Sequence, residues 1–399
     1  MPLGSIIPSN CLSLPRNTDN PVCNQANNHR QDCLCYDRFM PKFHTLTVKE
    51  VRRETPDCVS IAFDVPQDLK ADYEFTQGQY LTLRTDIDGE DIRRSYSICS
   101  SPLDAELRVA VKHVPQGLFS TFANQKLQSG DALSVMTPMG KFFTKLNESH
   151  TKHYVGFAAG SGITPVMSIM KTVLQRESES HFTLFYGNKN FDSIIFREEI
   201  EALKNQYLGR LSIHHVLSRE VLGSPLFNGR INAEKCEQFC KVFFDAKEVD
   251  EYFLCGPEEM IFAVKDTLTS LGVAPKRIHF ELFTTAATKN IKPKTKTDHS
   301  PTPSESDSQI TVILDGDAFD FPLNSVGDNI LDAALKNGAD LPFACKGGVC
   351  CTCRAKVLEG KVEMDVNYAL EADEVEAGFV LTCQAHPRTK KVVISFDEK

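Results

Sequence analysis

Residues 343–355 read FACKGGVCCTCRA, and this stretch contains four of the fourteen cysteines in the chain. Cys345, Cys350 and Cys353 follow the spacing C-x4-C-x2-C, and Cys383 stands thirty residues after Cys353. Three thiols on one short loop can wrap a metal centre, and a fourth thiol completes the ligand set. The spacing therefore predicts a metal site built from these four cysteines.

The type of metal centre follows from the same spacing. It is the spacing of the plant-type [2Fe–2S] cluster, whereas zinc sites usually contain two separated C-x2-C pairs. Gly347 and Gly348 let the backbone pass close to the sulfur atoms and direct N–H groups at them. We therefore predict a [2Fe–2S] cluster, with zinc and coincidence as the alternatives. Cys351 lies outside the spacing and is interpreted as a bystander thiol.

Length and composition predict a multidomain protein of the cytoplasm. At 399 residues the chain is longer than a domain with one ordinary hydrophobic core, and we predict three domains. No apolar run approaches the roughly 18 residues that span a bilayer, and the start lacks the pattern of a secretory signal. The net charge of −9 argues against nucleic acid as a partner. Residues 310–399, with 15 acidic and 9 basic side chains, suit either a basic partner or simple solubility.

Changes in pattern divide the chain into five segments. Short alternating apolar runs broken by Pro, Gly and Asp indicate an antiparallel β-barrel, and apolar strands alternating with helices indicate a parallel α/β sheet. A stretch almost without large apolar side chains separates these from a compact α+β unit. We predict a disordered extension at 1–39, the barrel at 40–147, the α/β domain at 148–283, a linker at 284–308 and an α+β ferredoxin-like (β-grasp) domain at 309–399.

The barrel segment contains a motif that suits a flavin. Arg94 offers a guanidinium for a phosphate, Tyr96 an aromatic surface for the isoalloxazine, and Ser95 and Ser97 hydroxyl or backbone groups for the ring N5 region. The alternative is that Tyr96 packs in the barrel and Arg94 is a surface charge.

A second motif strengthens the flavin interpretation. Val111 and Lys112 are followed by Gly117 and Ser120 at the start of a predicted helix. Backbone N–H groups and a hydroxyl at a helix N-terminus favour a pyrophosphate. Both motifs together predict FAD rather than FMN.

The α/β segment contains two turns that suit a nicotinamide nucleotide. Gly160 and Gly162 form a glycine-rich turn between a strand and a helix that begins near Thr164 and Pro165. Such a turn lets phosphate oxygens approach backbone amides, although it is not G-x-G-x-x-G.

The second turn, Cys255-Gly256-Pro257, ends a later strand at the edge where open α/β sheets place ligands. Cys255 either lies beside the nicotinamide ring or is a buried structural thiol. Lys189 follows another strand where no acidic residue is present to hold a ribose 2′-hydroxyl. It can pair with a 2′-phosphate, so we predict NADPH in preference to NADH.

The domain order and these motifs resemble the ferredoxin–NADP reductase family with a fused C-terminal ferredoxin, over about residues 41–399. Residues 40–66 and 348–384 most resemble the branch formed by the reductases of bacterial phenylacetyl-CoA epoxidases. The resemblance implies FAD, NADPH and a di-iron oxygenase partner. It also implies that Ser97, Cys255 and Glu281 are catalytic and that Phe283 lies near the isoalloxazine.

The function expected from this resemblance is electron transfer from NADPH through the flavin to the cluster, and then singly to an oxygenase of phenylacetate degradation. The protein would mainly set distance, orientation and potential. The alternatives are the reductase of a Rieske ring hydroxylase or steroid hydroxylase, and a non-catalytic ferredoxin-type carrier. A metal-sensing regulator is disfavoured because the sequence has no basic DNA-binding element.

Overall fold

The computed structural model describes residues 42–283 and 308–398. The predicted extension at 1–39 and the predicted linker, apart from Ser308, lie outside the described residues. Within the described ranges no helix combines the length and apolar character needed to cross a membrane. The described chain forms an antiparallel barrel, a parallel α/β layer and a mixed α+β unit, which confirms the predicted fold class.

The barrel is built from six antiparallel strands in the order β4-β3-β6-β1-β2-β5. An antiparallel bridge between Ile98 and Val109 links the end of β4 to β5 and closes the sheet. Asp88 and Gly89, with φ of 56° and 83°, form the tight turn of the β3–β4 hairpin. The elements are β1 Phe43–Thr55, β2 Cys58–Asp64, β3 Tyr80–Ile87, β4 Glu90–Ser97, β5 Leu107–Lys112, α1 Leu118–Gln125 and β6 Ala132–Met136.

The α/β domain has five parallel strands in the order β11-β10-β7-β8-β9, with apolar cores on both faces. Because the strand order reverses between β7 and β10, the turns after these two strands flank the crevice where such sheets bind ligands. The elements are β7 His153–Ala159, α2 Ile163–Arg176, β8 His181–Asn188, α3 Arg197–Gln206, β9 Leu211–Leu217, α4 Ala233–Phe243, β10 Glu251–Gly256, α5 Glu258–Ser270 and β11 Ile278–Leu282.

The C-terminal domain wraps a mixed sheet, in the order β13-β12-β18-β14-β16, around one helix. The side chain of Asn329 accepts a hydrogen bond from the backbone of Asp332 at 2.8 Å and caps α6, which Gly338 follows with φ 91°. The elements are β12 Ser308–Leu314, β13 Asp317–Leu323, α6 Ile330–Lys336, β14 Arg354–Glu359, β15 Val362–Met364, α7 Ala372–Glu376, β16 Phe379–Leu381, β17 Ala385–Pro387 and β18 Lys391–Ser395.

A close backbone contact lies at the edge of the barrel that faces the α/β domain. Gly78 has φ 87°, and a Cβ atom there would lie 1.9 Å from the carbonyl oxygen of Phe142. Nearby, the Ser168 hydroxyl of α2 donates to the carbonyl oxygen of Ser100 at 2.7 Å. Because a side chain at position 78 cannot fit, only glycine there lets the backbone at Phe142 approach so closely, beside helix α2.

We expect Gly78→Ala to lower the free energy of unfolding more than Gly89→Ala does. Both glycines have positive φ, so alanine costs about 1 kcal/mol of backbone strain at either site. Only position 78 adds a collision with fixed backbone, because nothing lies within 4 Å of a Cβ atom on Gly89. The extra loss should be about 1–3 kcal/mol, measured from urea unfolding. If both variants lost the same free energy of unfolding, the contact between Gly78 and the backbone of Phe142 would not be rigid.

Candidate functional site

The first flavin motif occupies the end of β4, where alternate side chains point to opposite faces. The exposed Arg94 donates to the carbonyl oxygen of Arg93 at 2.7 Å, and Tyr96 lies 5.4 Å from Phe119, centroid to centroid. Burial raises the pKa of the Tyr96 hydroxyl. On the other face, Ser95 lies 3.2 Å from the hydroxyl of Thr82. Tyr96 therefore packs against the barrel, as the alternative held, while remaining on the same face as Arg94.

The second motif surrounds the start of α1. Gly117 is the residue before this helix, and Ser120 is buried in its first turn. The Ser120 hydroxyl accepts from the backbone of Val114 and lies 3.1 Å from the carbonyl oxygen of Gly117, so it holds the loop. The carbonyl oxygen of Val111 accepts from Asn124 at 3.0 Å. The Ser120 hydroxyl is therefore engaged with its own loop, which leaves backbone groups as the part of this motif that could meet a phosphate.

Lys112 connects the barrel to the glycine-rich turn of the α/β domain. Its ammonium lies 3.6 Å from the carboxylate of Asp57 and 3.9 Å from the place a Cβ atom would take on Gly160. Gly160 has φ 54°, and its carbonyl oxygen accepts from the Tyr186 hydroxyl at 3.0 Å. A positive side chain thus faces a turn that suits phosphate groups.

The two nucleotide turns are in direct contact. A Cβ atom on Gly162 would lie 2.0 Å from the carbonyl oxygen of Cys255, so only glycine permits this approach. A Cβ atom on Gly256 would lie 2.7 Å from the side chain of Met260 and 3.1 Å from that of Ala159.

The helices after these turns begin as predicted. Ile163 opens α2, which puts Pro165 in its first turn, and the Thr164 hydroxyl donates to the carbonyl oxygen of Ser161 at 3.0 Å. Pro257 stands directly before α5. Both turns therefore border the predicted crevice.

The three residues proposed as catalytic come together beside this crevice. The Ser97 hydroxyl donates to the Glu281 carboxyl at 2.9 Å, and Glu281 pairs with Cys255 in the parallel register of β10 and β11. Burial raises the pKa of Glu281 to about 7, against an ordinary 4.5. Burial also raises the pKa of the Cys255 thiol well above its usual range. Phe283 packs at the end of the same strand.

Lys189, which is predicted to pair with a 2′-phosphate, lies beside a second basic residue, Arg219, that the sequence did not predict. Lys189 is exposed after β8, and its carbonyl oxygen accepts from the backbone of Arg219 after β9 at 2.8 Å. Beside them, the buried amide of Asn188 has no hydrogen-bond partner among the described residues. A buried polar group without a partner at a sheet edge suits a polar ligand. Arg219 could have been found from its position two residues after the apolar strand β9.

The four cysteines predicted to bind the cluster converge. The Cys350 sulfur lies 3.1 Å from that of Cys345, and Cys383 lies near enough to Cys345 and Cys353 that these thiols raise its pKa. Hydrogen bonds from Cys350 and Cys383 lower the pKa of Cys345. The donor set of four sulfur atoms from one loop and one distant residue fits a [2Fe–2S] cluster.

The loop backbone supports the same interpretation. Gly347 donates its N–H to the Cys345 sulfur at 3.3 Å. Gly348 has φ 73°, and a Cβ atom there would lie 3.0 Å from the carbonyl oxygen of Val366. Cys351 instead places its sulfur 3.4 Å from the carbonyl oxygen of Ala369, and burial raises the pKa of its thiol to about 12. The Cys351 sulfur therefore has a partner outside the set of four cysteines that are predicted to bind the cluster.

The cluster loop contacts the strand pair that carries the first flavin motif. The Tyr80 hydroxyl lies 3.0 Å from that of Thr352, between Cys350 and Cys353. Tyr80 is the partner of Ser97 in the β3–β4 register. The cluster loop therefore packs against the strand next to the one that carries the first flavin motif.

Three family models match successive parts of the chain. The model for the oxidoreductase FAD-binding domain matches residues 45–144, and that for the oxidoreductase NAD-binding domain matches residues 157–266. The model for the 2Fe-2S iron-sulfur cluster binding domain matches residues 312–388. These matches confirm the predicted FAD, nucleotide and [2Fe–2S] domains.

Curated relatives and solved structures extend the similarity to nearly the whole described chain. The chain is 45% identical to one of the 1,2-phenylacetyl-CoA epoxidase subunits from Escherichia coli (strain K12), over 90% of this chain and 99% of the relative. It is 34% identical to the ferredoxin reductase component of 3-ketosteroid-9-alpha-monooxygenase from Rhodococcus rhodochrous, over 88% and 96% of the two chains.

A solved structure of phthalate dioxygenase reductase, described as modular for electron transfer from pyridine nucleotides to [2Fe–2S], has the same fold. Its TM-score is 0.53 at 21% identity, over 89% of this chain and 98% of that one. The chain therefore belongs to the ferredoxin–NADP reductase family with a fused C-terminal [2Fe–2S] ferredoxin domain, and it is an electron-transfer oxidoreductase.

Proposed function

We propose that this reductase takes electrons from NADPH and delivers them to a di-iron oxygenase, and that the oxygenase is a phenylacetyl-CoA epoxidase. The observation that carries the proposal is the junction at Ser97, which contacts Glu281 of the nucleotide domain and pairs with Tyr80, whose hydroxyl meets the cluster loop. The epoxidase is favoured because the identity to the matching epoxidase component, 45%, exceeds the 34% identity to the steroid monooxygenase component.

When bound, the flavin exchanges electrons in pairs with the nicotinamide and one at a time with the cluster. The residues of this chain supply binding and orientation. Lys112, with its positive charge beside the Gly160 turn, would neutralise phosphate groups. Cys255 and Gly256 would form the wall against which the nicotinamide lies. The Ser97 and Glu281 pair would hold a proton near the reacting ring.

The proposed domain limits, 40–147, 148–283 and 309–399, are supported by the family-model matches that fall within them. The proposed location is the cytoplasm, where thiols stay reduced. A non-catalytic carrier is less well supported, because both nucleotide turns and the Ser97–Glu281 contact are present.

Replacing Cys383 with serine should remove the cluster while flavin reduction by NADPH continues. The reason is that Cys383 is one of the four predicted cluster ligands and lies outside both flavin motifs in the sequence. Anaerobic visible spectra before and after NADPH would measure both bands. Cys351→Ser is the matched control and should keep both. Flavin and cluster bands that NADPH never bleaches in the parent protein would contradict the proposed function.

Replacing both Lys189 and Arg219 with alanine should raise the KM for NADPH about 10–100-fold and leave the KM for NADH unchanged. Loss of charge-assisted hydrogen bonds to a 2′-phosphate, about 1.5–3 kcal/mol, gives this range. Steady-state reduction of an artificial acceptor would measure it. Lys276→Ala, an exposed lysine before β11 at the opposite edge of the sheet, is the control. Equal changes for both nucleotides would refute a 2′-phosphate site.

Replacing Glu281 with glutamine should flatten the pH dependence of stability. Because the folded pKa is raised to about 7, the carboxyl contributes full stability below about pH 4.5, and this is lost as pH rises through 7. At pH 9 the buried carboxylate should cost up to about 3 kcal/mol, which glutamine avoids. Urea unfolding at pH 5 and pH 9 measures the difference.

The control for this comparison is Glu259→Gln, which changes an exposed carboxyl of α5 in the same domain. It should leave the pH dependence as in the parent. If Glu281→Gln also retained the parent's pH dependence, Glu281 would have to be ionised across the whole range.

A further inference from the structure

One face of the β3–β4 hairpin contacts both other domains. Arg93 and Ser97 lie on the same face of β4, because side chains alternate along a strand. Tyr80 is opposite Ser97 in the strand register. Ser97 reaches Glu281 of the α/β domain, whereas Tyr80 and Arg93 reach the ferredoxin domain. Tyr80 and Arg93 contact the ferredoxin domain from this face, and the function proposed above uses Tyr80 only to locate the cluster loop.

Tyr80 is a rigid anchor for the cluster loop. Its side chain is 5% exposed, and its hydroxyl lies 3.0 Å from that of Thr352. Its ring packs with Ala344 and Cys350, and a Cβ atom on Gly140 would lie 3.0 Å from it. Aromatic side chains with few rotatable bonds, buried and bonded at the tip, fix the distance between the elements they join. Tyr80 therefore fixes Thr352, which stands between two cluster cysteines, relative to β3 and to its partner β4, the strand with the first flavin motif.

Arg93 holds the segment that leads into the loop. Its guanidinium is 6% exposed, donates to the carboxylate of Asp340 at 3.1 Å and to the carbonyl oxygen of Leu341 at 3.3 Å, and lies 4.4 Å from the ring centroid of Phe343. Asp91 of the same strand balances its charge at 2.8 Å. A buried guanidinium is strongly unfavourable unless its hydrogen bonds are satisfied. The buried state of Arg93 therefore requires the ferredoxin domain to be docked.

We propose that Tyr80 and Arg93 are positioning residues that hold the cluster loop against the flavin strand and so set the rate at which electrons pass from flavin to cluster. The proposal rests on the function proposed above. Neither residue need exchange electrons. Their contribution is geometric, because the rate of electron transfer falls steeply as the distance between the two centres grows and the protein sets that distance.

The first experiment removes the hydroxyl contact. In the holoprotein, Tyr80→Phe and Thr352→Val should each slow cluster reduction by NADPH at least threefold, while the preceding bleaching of the flavin keeps its rate. The double variant should be no slower than the slower single variant, since both remove one contact. Thr352→Ser keeps a hydroxyl and should restore the parental rate. Stopped-flow absorbance separates the two phases.

Tyr73→Phe is the matched control for this experiment. Tyr73 is buried in the same barrel, 4% exposed, and its hydroxyl donates to the carbonyl oxygen of Val135 at 2.6 Å, with no contact to the ferredoxin domain. It should lose stability like Tyr80→Phe and keep the parental rate of cluster reduction. If Tyr73→Phe and Tyr80→Phe slowed cluster reduction equally, the Tyr80 hydroxyl would have only a structural role and the proposal would fail.

The second experiment tests docking without relying on activity. Arg93→Gln should increase hydrogen exchange at residues 340–352 at least tenfold and slow cluster reduction by a similar factor. Arg84→Gln is the control, because Arg84 is the strand partner of Arg93 and lies over Phe43 within the barrel. Its exchange should match the parent.

The outcomes of the second experiment separate the two proposals. Unchanged exchange in Arg93→Gln would overturn the positioning role. A parent protein whose flavin NADPH does not reduce would overturn the proposed function, while the exchange data would still report whether Arg93 holds the loop.

Discussion

The functional arrangement depends on one face of the β3–β4 hairpin, which contacts both the α/β domain and the ferredoxin domain. Ser97 meets the nucleotide domain through Glu281, and Tyr80, its strand partner, meets the cluster loop through Thr352. The three domains therefore meet at one short segment of the antiparallel β3–β4 pair. The flavin motif occupies the end of that pair.

Burial of ionisable groups accompanies each of these contacts. Arg93 is satisfied by groups from two domains, whereas the carboxyl of Glu281 has the Ser97 hydroxyl as its partner among the described residues, and burial raises its pKa to about 7. The first arrangement stabilises docking, because separation would expose unpaired partners. The second allows the carboxyl to hold a proton at neutral pH, which suits the role proposed for Glu281.

Local patterns made most of the fold and the cluster site predictable. The cysteine spacing and the glycine turns lie within short stretches, so periodicity and spacing reveal them. The contact between Tyr80 and Thr352 joins residues 272 apart in the chain, and no local pattern encodes it. Arg219 was missed because it follows a different strand from Lys189. For Ser120, a hydroxyl at a helix start suits either a ligand or its own loop, and only coordinates distinguish the two.

The buried state of Cys255 has a consequence for durability. Oxidants attack the thiolate, and burial raises the pKa of this thiol well above its usual range, so the reactive form is scarce at neutral pH. The side chain is also fully shielded from solvent. A sulfur atom can therefore remain beside the proposed nicotinamide site of an enzyme that works with oxygen-consuming partners without becoming a point of oxidative inactivation.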